Sequence, residues 1–574
     1  MICLRMSWLN ALLLMLLCLS VYTVHALAFD GRSLLYARLP PTSGQGSNPQ
    51  AVFLKLNADS ARVEADLQVP LGSVWKLFVY AYAVDRGLPL PAYRCRGGKL
   101  AKDELFCCNP GEIIAQDAAL AKSCGLFFDP QRLQLDALDW QAYWQKKAQQ
   151  VAWLSDLKSM QPATSISVSS LLLALSSIDG KVREQVETAL LAVVLNGRGH
   201  AALTHLGGQY RVKTYTWDHP QTTGKMIGGA AGWLSDGSAV WFGALGSSIK
   251  VMQDFAPELA RVAEQLGGNG YAGRCVDVAM FARYPIKRIL SMPEGREIQS
   301  DNEATLLGQY QIEFVNGKTL HMRSSGEMQV KWKNGNAPTI TARLDENEYV
   351  ARVIDREANA KDKEAARALS IVARTYLLQN ARKSGECEVI ADSSQTQRVS
   401  ANPASGAARA AALFTAGLVL RGVDAQYRLS SDTRNILSWQ KAVEHAREGL
   451  RFDEILRHAF DNATLATLSK ATECVEMPEA ERWLKKQTAV WSKQLQREPG
   501  FAEPKITVCL LQQGKPYSDM AHQRIYVRGL YSLNERITLA HEYLHLAFAA
   551  YPSGRDENYV EHWARRLIEG ESGI

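Results

Sequence analysis

The spacing of apolar and polar positions breaks the chain into strands, one buried helix and a set of amphipathic helices. Ser33 to Leu39 and Ala51 to Leu56 read as strands. The run LFVYAYAVD after Lys76 is apolar all round, which predicts a helix buried on every face. Val278 to Ile289, Thr305 to Phe314, Gly317 to Met322 and Gly326 to Trp332 predict a β-rich section, with a turn at Asn334-Gly335. Between Leu344 and Tyr376 the period becomes helical. Tyr349, Val350, Val353 and Ile354 share a face, and Glu357 continues it, so a carboxylate is aimed at the core side. A second run follows at Ala365, Leu369, Val372, Ala373 and Tyr376. Towards the end, Glu479 to Gln494 reads as an amphipathic helix, and Lys505 to Leu511 and Arg524 to Val527 as strands. Ser532-Leu533-Asn534-Glu535 is a capping box that starts another helix, and Asp556 to Ile568 forms a last one.

A chain of 574 residues has room for roughly three to four domains, and 47% hydrophobic residues give each a core. The net charge of +6 is mild and spread out, which sets nucleic acid aside as a partner. Arg5, the apolar run Ala11 to Val24 and Ala26-Leu27-Ala28 fit a secretory signal cleaved after Ala28. The run is short for a membrane span, so no transmembrane helix is expected after cleavage. Of ten cysteines, Cys3 and Cys18 leave with the signal. The remaining even number in an exported chain points to disulfides. The expected pairing keeps Cys95, Cys107, Cys108 and Cys124 among themselves, joins Cys474 to Cys509 and leaves Cys275 with Cys387. Sequence alone does not settle that connectivity.

Two short motifs carry candidate chemistry. Ser73 and Lys76 lie three apart at the start of the buried helix. Either the lysine amine takes the serine proton and makes a nucleophile, or Ser73 is an N-cap and Lys76 is solvated. His541-Glu542-Tyr543-Leu544-His545 puts two imidazoles on one helical face, where they can share one Zn2+. Glu542 between them can take a proton from a bound water. Glu561, sixteen residues after His545, is the expected third ligand, with His562 and Asp556 as alternatives. The plainer account pairs Glu561 with Arg565 one helical turn on.

Three resemblances build on these motifs. The Leu344 to Tyr376 stretch resembles the SpoIID/LytB family signature: a Glu ending one helix, here Glu357, then a helix ending in Ala373-Arg374-Thr375-Tyr376. That resemblance implies an α+β domain over 270–469 and peptidoglycan lytic transglycosylase activity. Glu357 would then protonate the leaving glycosidic oxygen. Asp392, followed by Gln397 five residues later, is the nearest second carboxylate. Residues 29–266 resemble the α/β domain of penicillin-binding transpeptidases and β-lactamases. Ser73-x-x-Lys76 is followed by Ser123-Cys124-Gly125 where that family has S-x-N, and by Lys213-Thr214-Tyr215 where it has K-T-G. This implies Ser73, Lys76, Ser123 and Lys213 as site residues. Gly125 and Tyr215 depart from the pattern, and favour stem-peptide binding or altered chemistry alongside acyl transfer. Residues 470–574 resemble a mostly helical zincin of the Glu type, with His541, His545 and Glu561 on zinc and Glu542 as base.

The combination resembles an exported bacterial family carrying domain of unknown function 2300, a label that names no activity. Together the resemblances imply a periplasmic cell-wall protein whose partners are peptidoglycan or muropeptides and other envelope proteins. Its centre would be lytic-transglycosylase-like and its end zinc-peptidase-like. The alternatives are a non-catalytic peptidoglycan-binding scaffold of degenerate enzyme domains, and a periplasmic zinc protease acting on proteins.

Overall fold

The structure, a computed structural model, describes residues 29, 32–41, 50–57, 66–96, 108–191, 193–194, 201–219, 223–266, 274–298, 303–332, 337–460, 463–467, 474–511 and 516–570. The signal segment, Cys107 and the Asn334-Gly335 turn lie outside them. Contacts divide the chain into two units, 1–192 with 200–271 and 193–199 with 272–574.

The first unit is built on an antiparallel sheet. Its strands are β1 (Leu34–Leu39), β2 (Val52–Leu56), β3 (Tyr210–Asp218), β4 (Met226–Leu234) and β5 (Ala239–Leu245), in the order β2-β1-β5-β4-β3. Side chains of a strand alternate between faces, and both faces here are apolar. Leu35, Ala37, Trp233 and Trp241 join the core around helix α1 (Trp75–Asp85). Leu34, Tyr36, Val240 and Phe242 pack with Val251, Met252, Phe255 and Leu259 of helix α2 (Ser248–Leu266). Trp75 to Ala83 are all buried, as an all-apolar run requires. Strand β3 is an edge of the sheet.

The second unit carries a seven-stranded sheet. Its strands are β6 (Cys275–Met280), β7 (Ile286–Met292), β8 (Glu303–Phe314), β9 (Thr319–Lys331), β10 (Thr339–Asp345), β11 (Arg382–Ser384) and β12 (Cys387–Ala391). Their order is β7-β8-β9-β10-β6-β12-β11, with β6 and β12 parallel. Helices α3 (Glu346–Glu357) and α4 (Lys363–Asn380) follow β10 and occupy the Leu344 to Tyr376 stretch as its period predicts. The single strand expected over Val278 to Ile289 is two, broken by a turn at which Phe281 has φ +56°. The two strands expected over 317–332 are one, because a register shift opposite Leu306 and Leu307 absorbs the positive φ of Gly326.

The C-terminal part of this unit holds α5 (Pro478–Leu495), β13 (Thr507–Leu510), β14 (Tyr517–Asp519), β15 (Arg524–Val527), α6 (Leu533–Ala547) and α7 (Glu557–Glu569). The strands form a sheet ordered β13-β15-β14; β13 and β15 lie in the runs expected as strands, and β14 is the strand that the sequence reading did not include. Leu484, Trp491, Val508, Ile525, Leu539, Tyr543, Val560 and Trp563 share its core. The capping box at Ser532 and Glu535 is formed in both directions. Residues 474–570 fall in the same contact unit as the seven-stranded sheet, so the expected border near 469 separates two parts of one unit.

Cys95 pairs with Cys108, Cys275 with Cys387 and Cys474 with Cys509, and Cys124 is also disulfide-bonded. The Cys275–Cys387 bridge ties the first residues of the parallel pair β6 and β12, where the Cα atoms are 4.6 Å apart. No helix among the described residues is long and apolar enough to cross a membrane.

Candidate functional site

Helices α6 and α7 bring together two histidines and two glutamates. His541 and His545 are one turn apart on α6, and their Nε2 atoms lie 3.0 Å from each other. The Glu557 carboxylate faces both, 3.2 Å from His541 Nε2 and 3.6 Å from His545 Nε2. Each imidazole is held by its other nitrogen. His545 Nδ1 donates to the Gly554 carbonyl at 2.7 Å, and His541 Nδ1 donates to Glu561 Oε2 at 3.0 Å. With both Nδ1 atoms so engaged, both Nε2 atoms face the Glu557 carboxylate.

This donor set fits a zinc ion. Two imidazole nitrogens and a carboxylate oxygen lie within 4.8 Å of one another. Tetrahedral ligands at 2.0–2.1 Å from zinc sit about 3.3 Å apart, close to the 3.0 Å between the two Nε2 atoms and the 3.2 Å from His541 Nε2 to Glu557 Oε2, while the 3.6 Å contact of His545 runs to the other carboxylate oxygen. The carboxylate facing both Nε2 atoms is that of Glu557, whereas the expected third ligand, Glu561, lies against His541 Nδ1. Both lie on one face of α7, four residues apart, and helical spacing alone does not tell which turn reaches the Nε2 side. Glu561 instead orients His541 from behind and takes Arg565 Nε at 2.7 Å, so the i,i+4 pair expected from sequence is present as well. Asp556 caps α7 through the Asn558 and Tyr559 amides, and His562 is exposed.

Glu542 lies on the same helix, buried. Burial pushes its carboxyl up to about 7, His545 opposes that, and the charges of Asp424 and Glu557 add to it. The Ser518 side chain on β14 acts in the opposite sense, favouring the carboxylate. A carboxyl poised near neutrality both accepts and releases a proton readily.

In the first unit, Ser73, Lys76 and Ser123 converge. Lys76 Nζ is 3.2 Å from Ser73 Oγ, 3.2 Å from Ser123 Oγ and 2.9 Å from the Ser123 carbonyl. Ser73 is not the N-cap of α1, whose cap is Val74 without a side-chain bond, and Lys76 is buried rather than solvated. Ser123 adopts φ +62°, which turns its carbonyl to the amine. A side chain at Gly125 would begin 3.7 Å from Lys76 Cε, where an asparagine would meet the amine. Here the Ser123 carbonyl meets it. Tyr215 fills the space beside edge strand β3 that a glycine would leave open. Its Cβ lies 2.7 Å from where a Cβ on Gly72 would stand, and its hydroxyl accepts from Trp241 Nε1 at 3.0 Å.

Lys213 is fully buried, with its amine 3.3 Å from the Thr214 carbonyl. Burial holds it well below the usual lysine range, and the Lys76 charge adds to the depression. Unfolding restores the ordinary value near 10.4, so between the two values the unfolded chain holds one more proton. Stability therefore rises with pH across that window, and the full penalty stands below the depressed value. Lys213→Met is expected to stabilise the chain by roughly 1–3 kcal/mol near neutrality. Urea unfolding at pH 6 and pH 9 checks it: the variant's advantage should shrink at the higher pH.

Glu357 ends α3, as its motif predicts, but Arg398 holds both its oxygens. Arg398 Nη2 is 2.6 Å from Oε2, and its Nε and backbone N–H reach Oε1 at 3.0 and 2.9 Å. Arg398 therefore occupies both oxygens of the Glu357 carboxylate. Burial pushes the nearby Asp392 carboxyl up, the Glu357 charge adds to this, and the Val399 and Phe281 amides oppose it. Arg374 of the Ala-Arg-Thr-Tyr run is wholly buried and supports the fold. Glu557, Arg398 and Asp424 were not singled out by sequence reasoning. Only Glu557 left a signal, its place one turn before Glu561 on α7.

A family described as "Predicted secreted protein (DUF2300)" matches residues 100–221 and 435–553, and one described as "Stage II sporulation protein" matches 334–422. The uncharacterized protein YfaQ of Escherichia coli (strain K12) is 40% identical over 504 residues, 88% of this chain and 90% of its own. Similar solved structures include the transpeptidase domain of the FtsI4 D,D-transpeptidase from Legionella pneumophila. It is 14% identical with a TM-score of 0.27, covering 42% of this chain and 92% of that one. The C-terminal domain of the Bacillus licheniformis BlaR penicillin-receptor is 15% identical with a TM-score of 0.27, covering 42% and 94%.

Proposed function

Since the chain belongs to the DUF2300 family of secreted proteins, we propose that it is a periplasmic peptidoglycan-processing protein whose C-terminal centre is a zinc-dependent amide hydrolase. The convergence of His541, His545 and Glu557 beside a buried Glu542 supports the hydrolase reading above all else. The stage II sporulation protein match supports the cell wall as its setting.

His541 Nε2, His545 Nε2 and a Glu557 oxygen would hold the zinc. When bound, zinc acidifies water and polarises the amide carbonyl. Glu542 takes a proton from the attacking water and returns it to the leaving nitrogen, and its burial makes both transfers feasible. Glu561 with the Gly554 carbonyl keeps the two rings in the metal-binding tautomer. Muropeptide amide cleavage by the purified chain tests the reading. Glu542→Gln is expected to lower kcat by about 10²–10⁴-fold with zinc content unchanged. Cleavage indifferent to that variant and to a chelator overturns it.

A second activity is supported by Glu357, which stands at the end of α3 within the stage II sporulation protein match. Glu357→Gln should abolish release of anhydro-muropeptides from intact sacculi. Arg398→Ala should leave release intact or raise it, because that change frees the carboxyl. Unchanged release by Glu357→Gln would leave this centre as a glycan-binding surface.

A further inference from the structure

We propose that the turn between β6 and β7 is a sugar-stacking subsite beside Glu357, where the ring of Tyr284 takes one pyranose of a peptidoglycan glycan strand; this rests on the second activity above. Tyr284 is 56% exposed. Its ring and that of Phe314 meet edge to face with centroids 6.2 Å apart, and Phe314 meets Phe281 in the same way at 5.3 Å. Phe314, at the end of β8, is buried, so it anchors a tyrosine that leaves more than half its surface to solvent. The turn that carries Tyr284 is fixed. The Tyr284 amide donates to the Phe281 carbonyl at 2.8 Å, and the Val315 amide donates to the Pro285 carbonyl at 3.0 Å. Phe281 itself holds φ +56°, a conformation that costs a bulky residue free energy and persists only where its surroundings impose it.

Asp392 imposes it and ties the turn to the Glu357 centre. Its Oδ2 accepts from the Phe281 amide at 3.1 Å, and its Oδ1 accepts from the Val399 amide at 3.0 Å. Two amides on one carboxylate lie within about 8 Å of each other. The residue before Val399 is Arg398, whose backbone and guanidinium hold Glu357. On the turn, Arg283 precedes Tyr284 and donates to Ser394 Oγ at 3.3 Å, in the loop that runs from Asp392 to Arg398. An exposed aromatic ring flanked by a guanidinium and a hydroxyl therefore adjoins the segment that grips Glu357. A pyranose has a face of C–H groups and a rim of hydroxyl and acetamido groups. The tyrosine ring covers the first, and Arg283 and Ser394 have the polar atoms to meet the second.

The test titrates chitohexaose, a β-1,4-linked hexamer of N-acetylglucosamine, into the full chain and reads binding by calorimetry. Tyr284→Ala is expected to weaken binding about five-fold, the scale of one stacking contact. Tyr284→Phe and Tyr284→Trp should keep wild-type affinity or better, because the ring and not the hydroxyl makes the contact. Tyr531→Ala, at a tyrosine 87% exposed just before the α6 cap, is the control and should leave binding unchanged. No hexamer binding by the wild type, equal affinity of wild type and Tyr284→Ala, or the same loss in Tyr284→Phe or Tyr531→Ala overturns the proposal. Failure of the transglycosylase reading shows separately, as anhydro-muropeptide release unchanged in Glu357→Gln, and leaves the affinity difference at Tyr284 in place.

Discussion

Alanine at His541 is expected to take the purified chain from about one zinc per molecule to near none, because a three-ligand site that loses an imidazole keeps too few donors. His545→Ala should do the same, and so should Glu557→Gln, whose carboxylate lies against both Nε2 atoms. Glu561→Gln should behave differently. Its carboxylate touches His541 Nδ1, so the variant keeps all three donors and loses only the group that fixes the ring. A loss of about 10–100-fold in zinc affinity is expected there, with stoichiometry retained at saturating metal. Metal analysis after dialysis, with competitive chelator titration, separates the two classes. Zinc retained by Glu557→Gln and lost by Glu561→Gln would reverse the two assignments. No zinc in the wild type would remove the hydrolase and move the balance to the wall-binding scaffold.

The second large effect is on stability, at Arg374. This guanidinium is wholly buried, and so is its partner Glu346. Arg374 Nε lies 2.6 Å from Glu346 Oε1, an ion pair by distance without an aligned hydrogen bond. The aligned bonds run from Nη1 to the Thr415 and Leu418 carbonyls at 2.8 and 3.2 Å, and from Nη2 to the Ala412 carbonyl at 3.0 Å and Asn347 Oδ1 at 3.1 Å. Removing the cation leaves three carbonyls and part of a buried carboxylate without their donor. Arg274, 3.0 Å from Glu346 Oε2, compensates only one side. Arg374→Met is therefore expected to destabilise the second unit by about 3–5 kcal/mol. That corresponds to a fall in Tm of roughly 6–20 °C. Arg374→Lys should recover part of the loss, since it restores charge but not the planar fork. Calorimetry of the three proteins checks it, and a Tm within about 2 °C of wild type for Arg374→Met would show that the pair is dispensable.

The Arg374 case shows how far a motif can be read. Ala-Arg-Thr-Tyr is legible in the sequence and points to a family, yet the arginine in it supports a loop turn instead of facing a substrate. Likewise, Ser73 and Lys76 come together as their spacing implies, because a buried helix start holds both, and Ser123 joins them as the family resemblance implies. What fills the space around them is decided by residues far apart in the chain, with Tyr215 set over Gly72.

Periodicity alone determined the helices on either side of Glu357, the all-buried α1 and the capped start of α6, since these depend on interactions within a few residues. The even cysteine count in a chain expected to be exported pointed to disulfides, and the structure forms the Cys275–Cys387 and Cys474–Cys509 pairs among them. Tertiary structure decided which turn of α7 faces the histidines, that Arg398 latches Glu357, and that Gln379 bonds both the Val423 carbonyl and the chain after β14. Each of those outcomes depends on the angle at which two elements pack, and local spacing carries no information about that angle.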